Sequence, residues 1–203
     1  MNIRTNLSAV LILLILHCFY HNVLSQCSSC TIIINGYDDS DYNLGFGDKL
    51  CVTQTGLYKG NKLEINGGEI CNMGVCKAKS VTINDGVVNN YGDFLTANLK
   101  MTSSNSIINN FGAYAVTSFF LMDAGQVNND SMFSVSSTLN VKGDEFNNRG
   151  ELIIGANLVC NSLLTNNSGA FIEVGNAMIN EFPGIIRNSG CIEISEDFTN
   201  YSI

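Results

Sequence analysis

The sequence predicts an all-β fold, a right-handed parallel β-helix (solenoid) of about eight coils with 18–21 residues in each. Three observations predict it. First, the stretch Val88-Asn89-Asn90-Tyr91-Gly92-Asp93-Phe94 recurs with small changes. It returns as Ile108-Asn109-Asn110-Phe111-Gly112, Val127-Asn128-Asn129, Phe146-Asn147-Asn148-Arg149-Gly150 and Thr165-Asn166-Asn167-Ser168-Gly169. A fixed period of this length marks units that bury their apolar face only by stacking on one another. Second, apolar and polar residues alternate with a period of two and no segment sustains a 3.6-residue period, so the units are strands. Third, the single proline, Pro183, lies in the longest insertion between repeats, where a corner absorbs it.

Taken in order, residues 1–25 read as a secretory signal peptide. Arg4 is its basic residue, Ala9 to Leu16 its apolar run, and Val23 and Ser25 precede a cleavage before Gln26. The apolar run is short of the roughly 20 residues a membrane span needs. Read instead as a lipobox, Leu24-Ser25-Gln26-Cys27 places a glutamine too large for the position before the cysteine. Beyond residue 25 the chain has no histidine and no tryptophan. It has 9 basic residues (10 less Arg4) against 18 acidic ones, a net charge of −9. Such a balance repels nucleic acid and anionic membrane, so neither is an expected partner, and no membrane insertion is expected after signal cleavage.

Seven cysteines remain: Cys27, Cys30, Cys51, Cys71, Cys76, Cys160 and Cys191. Export permits disulfides, and the odd number leaves a thiol over. Cys27-Ser28-Ser29-Cys30 has the spacing of a zinc half-site, but no histidine or second such pair completes it. A local Cys27–Cys30 bridge, or two separate bridges, fits better. Cys51 and Cys71 are the other candidates, set diagonally on the outward face beside Val52 and Ile70.

Residues 26–47 lack the repeat and read as an N-terminal cap: a β-branched strand at Thr31 to Ile34, then a polar turn segment from Gly36 to Gly47. Residues 48–203 carry the repeats. One column aligns Gln54, Asn72, Asn90, Asn110, Asn129, Asn148, Asn167 and Asn188. Two residues earlier come Val52, Ile70, Val88, Ile108, Val127, Phe146, Thr165 and Ile186. Two residues later come Gly56, Gly74, Gly92, Gly112, Ser131, Gly150, Gly169 and Gly190, and four later Tyr58, Cys76, Phe94, Tyr114, Phe133, Leu152, Phe171 and Ile192. All share one parity, so all point inward. A second inward pair closes each coil, from Leu63/Ile65 to Leu158/Cys160 and Ala177/Ile179. A buried amide must be hydrogen-bonded. Stacked at the strand spacing, each amide donates to one neighbour and accepts from the other, a structural ladder. The glycines supply either a positive φ or close backbone approach. Glu173 falls where Val116, Val135 and Ile154 point inward, so a bulge is expected to hand the place to Val174.

The order Cys-x-x-Cys, then Asp48-Lys49-Leu50-Cys51-Val52, then Asn66-Gly67-Gly68-Glu69-Ile70-Cys71, then Asn-x-Gly coils, resembles the N-terminal region of large surface β-solenoid proteins of Bacteroidota. Those are adhesin-like cargo of type IX secretion. The resemblance covers roughly residues 26–200 and implies a secreted or cell-surface structural role without catalysis. Proteins of that kind usually end in a C-terminal sorting domain, whereas this sequence stops at Ile203 in mid-solenoid, so the expectation is a fragment, a truncated paralogue or another export route.

Chemistry-bearing constellations are sparse. Parallel β-helices also carry glycan-active enzymes and carbohydrate-binding modules, which is the competing reading. Such enzymes need paired carboxylates, often with calcium. Asp93 and Glu151 point outward but lie three coils apart, and Asp38, Asp39 and Asp41 read as a solvated turn. No cofactor or metal is expected. Of the sequons, Asn129 belongs to the inward column, whereas Asn166 is expected to point outward. An apolar outer flank is expected at Leu95, Ala115, Ile153 and Ile172, beside Ala170, with Leu121, Val159 and Met178 in a further outward column. With no capping segment after Phe198, the expected partners are another solenoid chain, further C-terminal domains or a surface glycan.

Overall fold

The structure is a computed structural model and describes residues 27–202. The signal-peptide reading of residues 1–25 lies outside the described residues. Among these there are 21 strands and no helix, and every strand pair is parallel. The strands stack as a β-solenoid of about nine turns.

Each coil has three faces. The amide face begins with Ile32–Ile34 and Lys49–Val52 and ends with Leu163–Asn166 and Ile185–Asn188. The aromatic face runs from Tyr37–Asp38 to Cys191–Ile194, and the aliphatic face from Tyr42–Gly45 to Phe198–Asn200. Leu57–Asn72 and Val75–Asn90 pass through all three faces as continuous strands paired with each other, with a register shift between Ile65 and Gly68. Alternation sends every second residue inward. The core is therefore a set of vertical columns, each residue packed on its equivalent one coil away.

On the amide face the column runs Leu50, Ile70, Val88, Ile108, Val127, Phe146 and Leu164, all fully buried. On the aliphatic face Leu63, Val81, Leu99, Phe120, Leu139, Leu158 and Met178 stack beside Ile65, Ile83, Met101, Met122, Val141 and Cys160. On the aromatic face Phe94, Tyr114 and Phe133 stack almost parallel, with centroids 4.6 and 4.8 Å apart. Burying one such side chain is worth about 1.5–3 kcal/mol. Val174 is buried and Glu173 exposed as expected, but no bulge does this: Ile153–Glu173 and Ile154–Val174 pair in regular register, and changed corner lengths earlier in the coil set the parity.

The structure corrects the expected register at two corners. In most coils, the step from the ladder position to the aromatic column is four residues, as from Asn148 to Leu152. In the seventh repeat it is six, because Asn148 pairs with Asn166 and Leu152 with Ile172. Leu164 and Ile172 are therefore inward in place of Thr165 and Phe171, and Met178 in place of Ala177/Ile179. Burying leucine rather than threonine is the apolar choice, and the Thr165 hydroxyl donates to Glu145 instead, at 2.9 Å. Gly169 makes the longer corner with φ +81°. The same extra two residues follow Val52, which pairs with Asn72 and takes the ladder position that Gln54 was expected to hold. The segment 36–47 is also not a turn. It contains Tyr37–Asp38 and Tyr42–Gly45, which wind as a coil of their own. That coil accounts for nine turns where eight were expected.

Candidate functional site: the amide ladder and the surfaces it holds

The inner ladder runs through six coil-to-coil steps. Asn72 Nδ2 donates to Asn90 Oδ1 at 2.7 Å, Asn90 to Asn110 at 2.8 Å and Asn110 to Asn129 at 2.8 Å. Asn129 donates to Asn148 at 2.8 Å, Asn148 to Asn166 at 2.9 Å and Asn166 to Asn188 at 2.8 Å. The second N–H of each amide goes to a backbone carbonyl of the following coil, as from Asn110 to Met132 at 2.8 Å. Asn72 through Asn166 are fully buried, and both N–H groups of each are used.

Two expected members are absent. Gln54 is exposed in the corner after Val52 and joins no ladder. Asn167 is half-buried and donates to Asn147 Oδ1 at 2.7 Å and to the Asn148 carbonyl, while Asn166 takes its place. Asn166, expected outward as a glycosylation acceptor, is therefore buried. The cause is parity: the corner from Cys160 to Leu164 is one residue shorter than the equivalent one from Val141 to Phe146, and an odd change exchanges inward and outward residues.

A second ladder lies on the outer side of the same face. Asn128 donates to Asn109 Oδ1 at 2.9 Å, Asn109 to Asn89 at 2.9 Å, and Asn89 to Glu69 Oε1 at 3.0 Å. Lys49 closes it on Glu69 at 2.9 Å. The inner ladder donates toward the C-terminus and the outer one toward the N-terminus, so their amide dipoles oppose. The repeated Asn-Asn pair was the signal for this second row.

The glycine column serves close approach. A Cβ at Gly92 would run into the Gly74 carbonyl, and one at Gly112 into the Gly92 carbonyl. In the seventh repeat Ala170 occupies the column position, and Gly169 makes the left-handed corner.

The four candidate cysteines are brought together but paired differently. Cys27 bonds Cys71 and Cys30 bonds Cys51, with Cα separations of 5.6 and 5.8 Å. Cys51 and Cys71 are in direct register, side by side on the outer side of the amide face. The segment 27–30 crosses over both coils and ties one cysteine to each. Both are buried, yet neither belongs to the core cluster. Cys76 and Cys160 are buried as expected, and burial pushes both thiols up from their ordinary value; Cys191 is exposed.

The acidic N-terminal loop spends its carboxylates locally. Asp38 accepts from the Ser40 N–H at 2.8 Å and from the Tyr42 hydroxyl at 2.9 Å. The Ser40 N–H is the main cause holding Asp38 below the usual carboxylate range. Asp41 accepts from the Asn61 and Lys62 N–H groups, both at 2.8 Å. Among the described residues no three histidine, cysteine or acidic side chains converge as a metal site. Asp93, Ala113, Met132 and Glu151 form one outward column, so the two carboxylates do lie three coils apart.

The expected apolar flank is smaller than the sequence implied. Leu95, Ala115 and Ile153 do point outward in one column, which continues to Glu173. Ile172, Ala170 and Met178 are buried, again through the corner slip. Ile179 replaces Met178 beside Val159, and the polar Asn140 separates that pair from Leu121.

With this geometry in hand, the chain was compared with family models, curated proteins and solved structures, and none matches. The class is that of a disulfide-capped β-solenoid with paired asparagine ladders.

Proposed function

We propose that this protein is a secreted or cell-surface structural solenoid of adhesin-like type, acting without catalysis. The observation that carries the proposal is the use of its polar side chains. The polar residues repeated in coil after coil are spent on one another along the two ladders. They make a stiff rod and hold out flat, regular faces for contact. Two disulfides fasten the first coils, which fits an oxidising compartment outside the cytosol. The resemblance to Bacteroidota surface proteins supports the same role and a type IX route.

The test is incubation with neutral and acidic polysaccharides while reducing ends are followed. The expected result is retention on a glycan or cell surface with no chain cleavage. Release of reducing ends that disappears on replacing Asp93 or Glu151 overturns the proposal and favours a glycan-active enzyme.

A further inference from the structure

We infer that the corner between the aromatic and aliphatic faces, at Lys59, Lys77 and Lys79, is a binding groove for an extended acidic polysaccharide. The inference rests on the adhesin-like reading and names its ligand class.

The groove begins with the backbone. Gly60, Ala78 and Thr96 are the inward residues of three successive coils at this bend. A Cβ at Gly60 would strike the Tyr58 ring, so the wall must fold in there. The indentation encloses a groove of about 430 Å³ that runs along the solenoid axis. Its cationic half is Lys59, Lys77 and Lys79; its neutral half is Leu95, Ala97 and Thr117.

The charge placement is not that of an ordinary solvated face. Lys59 and Lys77 are in direct register on neighbouring strands, an arrangement that destabilises a sheet through like-charge repulsion. All three lysines are exposed, and none forms an ion pair among the described residues. Carboxylates flank the corner at Asp39 and Asp41 in the preceding coil and at Asp93, two residues before Leu95, in the following one. Asp41 is held by the Asn61 and Lys62 N–H groups, and Asp39 accepts from Tyr37 at 3.4 Å. Five of the nine basic residues beyond residue 25 (Lys59, Lys62, Lys77, Lys79 and Lys100) fall in three successive coils around this corner. From Asp123 onward there are ten acidic residues and three basic ones. A cationic spot on an acidic rod attracts an anion locally and repels one that is densely charged along its length. Lysine ammonium groups are point charges and suit separate carboxylates. The apolar half of the groove suits the C–H faces of sugar rings. A polyuronate meets these demands better than a nucleic acid.

The experiment is titration calorimetry of the disulfide-bonded protein with a galacturonate oligosaccharide, a neutral glucan oligosaccharide and duplex DNA. Binding of the uronate is expected, weakening as salt rises. The double variant Lys77→Glu/Lys79→Glu should lose affinity about tenfold or more, whereas Lys142→Glu should match the parent. The changed positions are exposed, and an unchanged melting curve verifies folding. Equal uronate affinity in parent and double variant overturns the groove, as does equal binding of the neutral glucan. Tighter binding of DNA would make it a nucleic-acid site instead. Uronate cleavage by the parent would sink the non-catalytic reading and leave the groove standing. Retention on glycan or cell surfaces without uronate binding would do the reverse.

Discussion

At the scale of single residues, the cost of polar burial sets the outcome. Asn129 sits mid-ladder, giving both N–H groups and receiving one from Asn110. Asn129→Ala leaves Asn110 Nδ2 short of an acceptor and Asn148 Oδ1 short of a donor. An unsatisfied buried group costs about 1–3 kcal/mol, and a domain of this size loses roughly 2–4 °C of melting temperature per kcal/mol. Asn128 cannot serve as an inert control, because it donates to Asn109 in the outer ladder. Asn105, exposed and outside both ladders, can. Equal melting temperatures for Asn129→Ala and Asn105→Ala would refute the inward assignment. Tyr114 shows the opposite case. Its hydroxyl is fully buried and has no hydrogen-bond partner among the described residues, and burial drives its pKa well up. Tyr114→Phe keeps the ring between Phe94 and Phe133 and removes the orphaned group. The variant should melt at or above the parent; a clear drop would mean that the hydroxyl has a partner.

At the scale of elements, the N-terminal coil depends on a charged loop and a covalent staple. The folded state holds Asp38 below its ordinary pKa through Ser40 and Tyr42. A depressed carboxylate contributes stability that is full above its unfolded pKa, near 4, and is lost as pH falls through the lower folded value. Acidification below about pH 4 should therefore loosen this loop before the central coils. Amide exchange at Ser40 should rise there and lose its pH dependence in Asp38→Asn. Exchange at Ser40 that follows only the intrinsic chemical rate would discount the contact. The disulfides act on the same coil. Removing a native bridge typically costs about 2–5 kcal/mol. Cys30→Ser/Cys51→Ser should make 27–47 sensitive to protease while leaving the central ladder intact. Peptide mapping that finds Cys27 joined to Cys30 would overturn the pairing itself.

At the scale of the whole molecule, the first and last described coils differ. Near the N-terminus the ladder position is filled by Ile34 and Val52, with segment 27–30 strapped alongside. At the other end Asn188 still accepts from Asn166, but among the described residues nothing accepts from its Nδ2. Ile186, Ile192 and Ile194 are only partly buried, and Phe198 is 57% exposed. Stability in such stacks is a sum of coil and neighbour terms, so a coil whose inward residues are only partly buried opens first. Amides of Ile185–Asn200 should exchange about tenfold or more faster than those of Ser106–Asn148. Uniform protection along the rod would show that the last coil is covered.

The sequence by itself determined the class of fold, the inward columns of the central coils, the ladder from Asn72 to Asn148 and the identity of the four bridging cysteines. These follow from local periodicity: two residues per strand repeat and about nineteen per coil, read wherever the corners have equal length. Tertiary structure decided what depends on corner length and on the third dimension. The six-residue corner after Val52 excluded Gln54 from the ladder; the corner before Leu164, one residue short, exchanged Asn167 for Asn166, and the six-residue corner after it turned Ile172 inward, because burying Leu164 and Ile172 outweighs keeping the count. The cysteine pairing was set by which coils the N-terminal segment crosses, which spacing does not encode. The opposed sense of the two ladders and the lysine groove at the inner bend arise only once the coils are stacked. Neighbours in these columns stand 18 to 22 residues apart in the chain and one strand spacing apart in space.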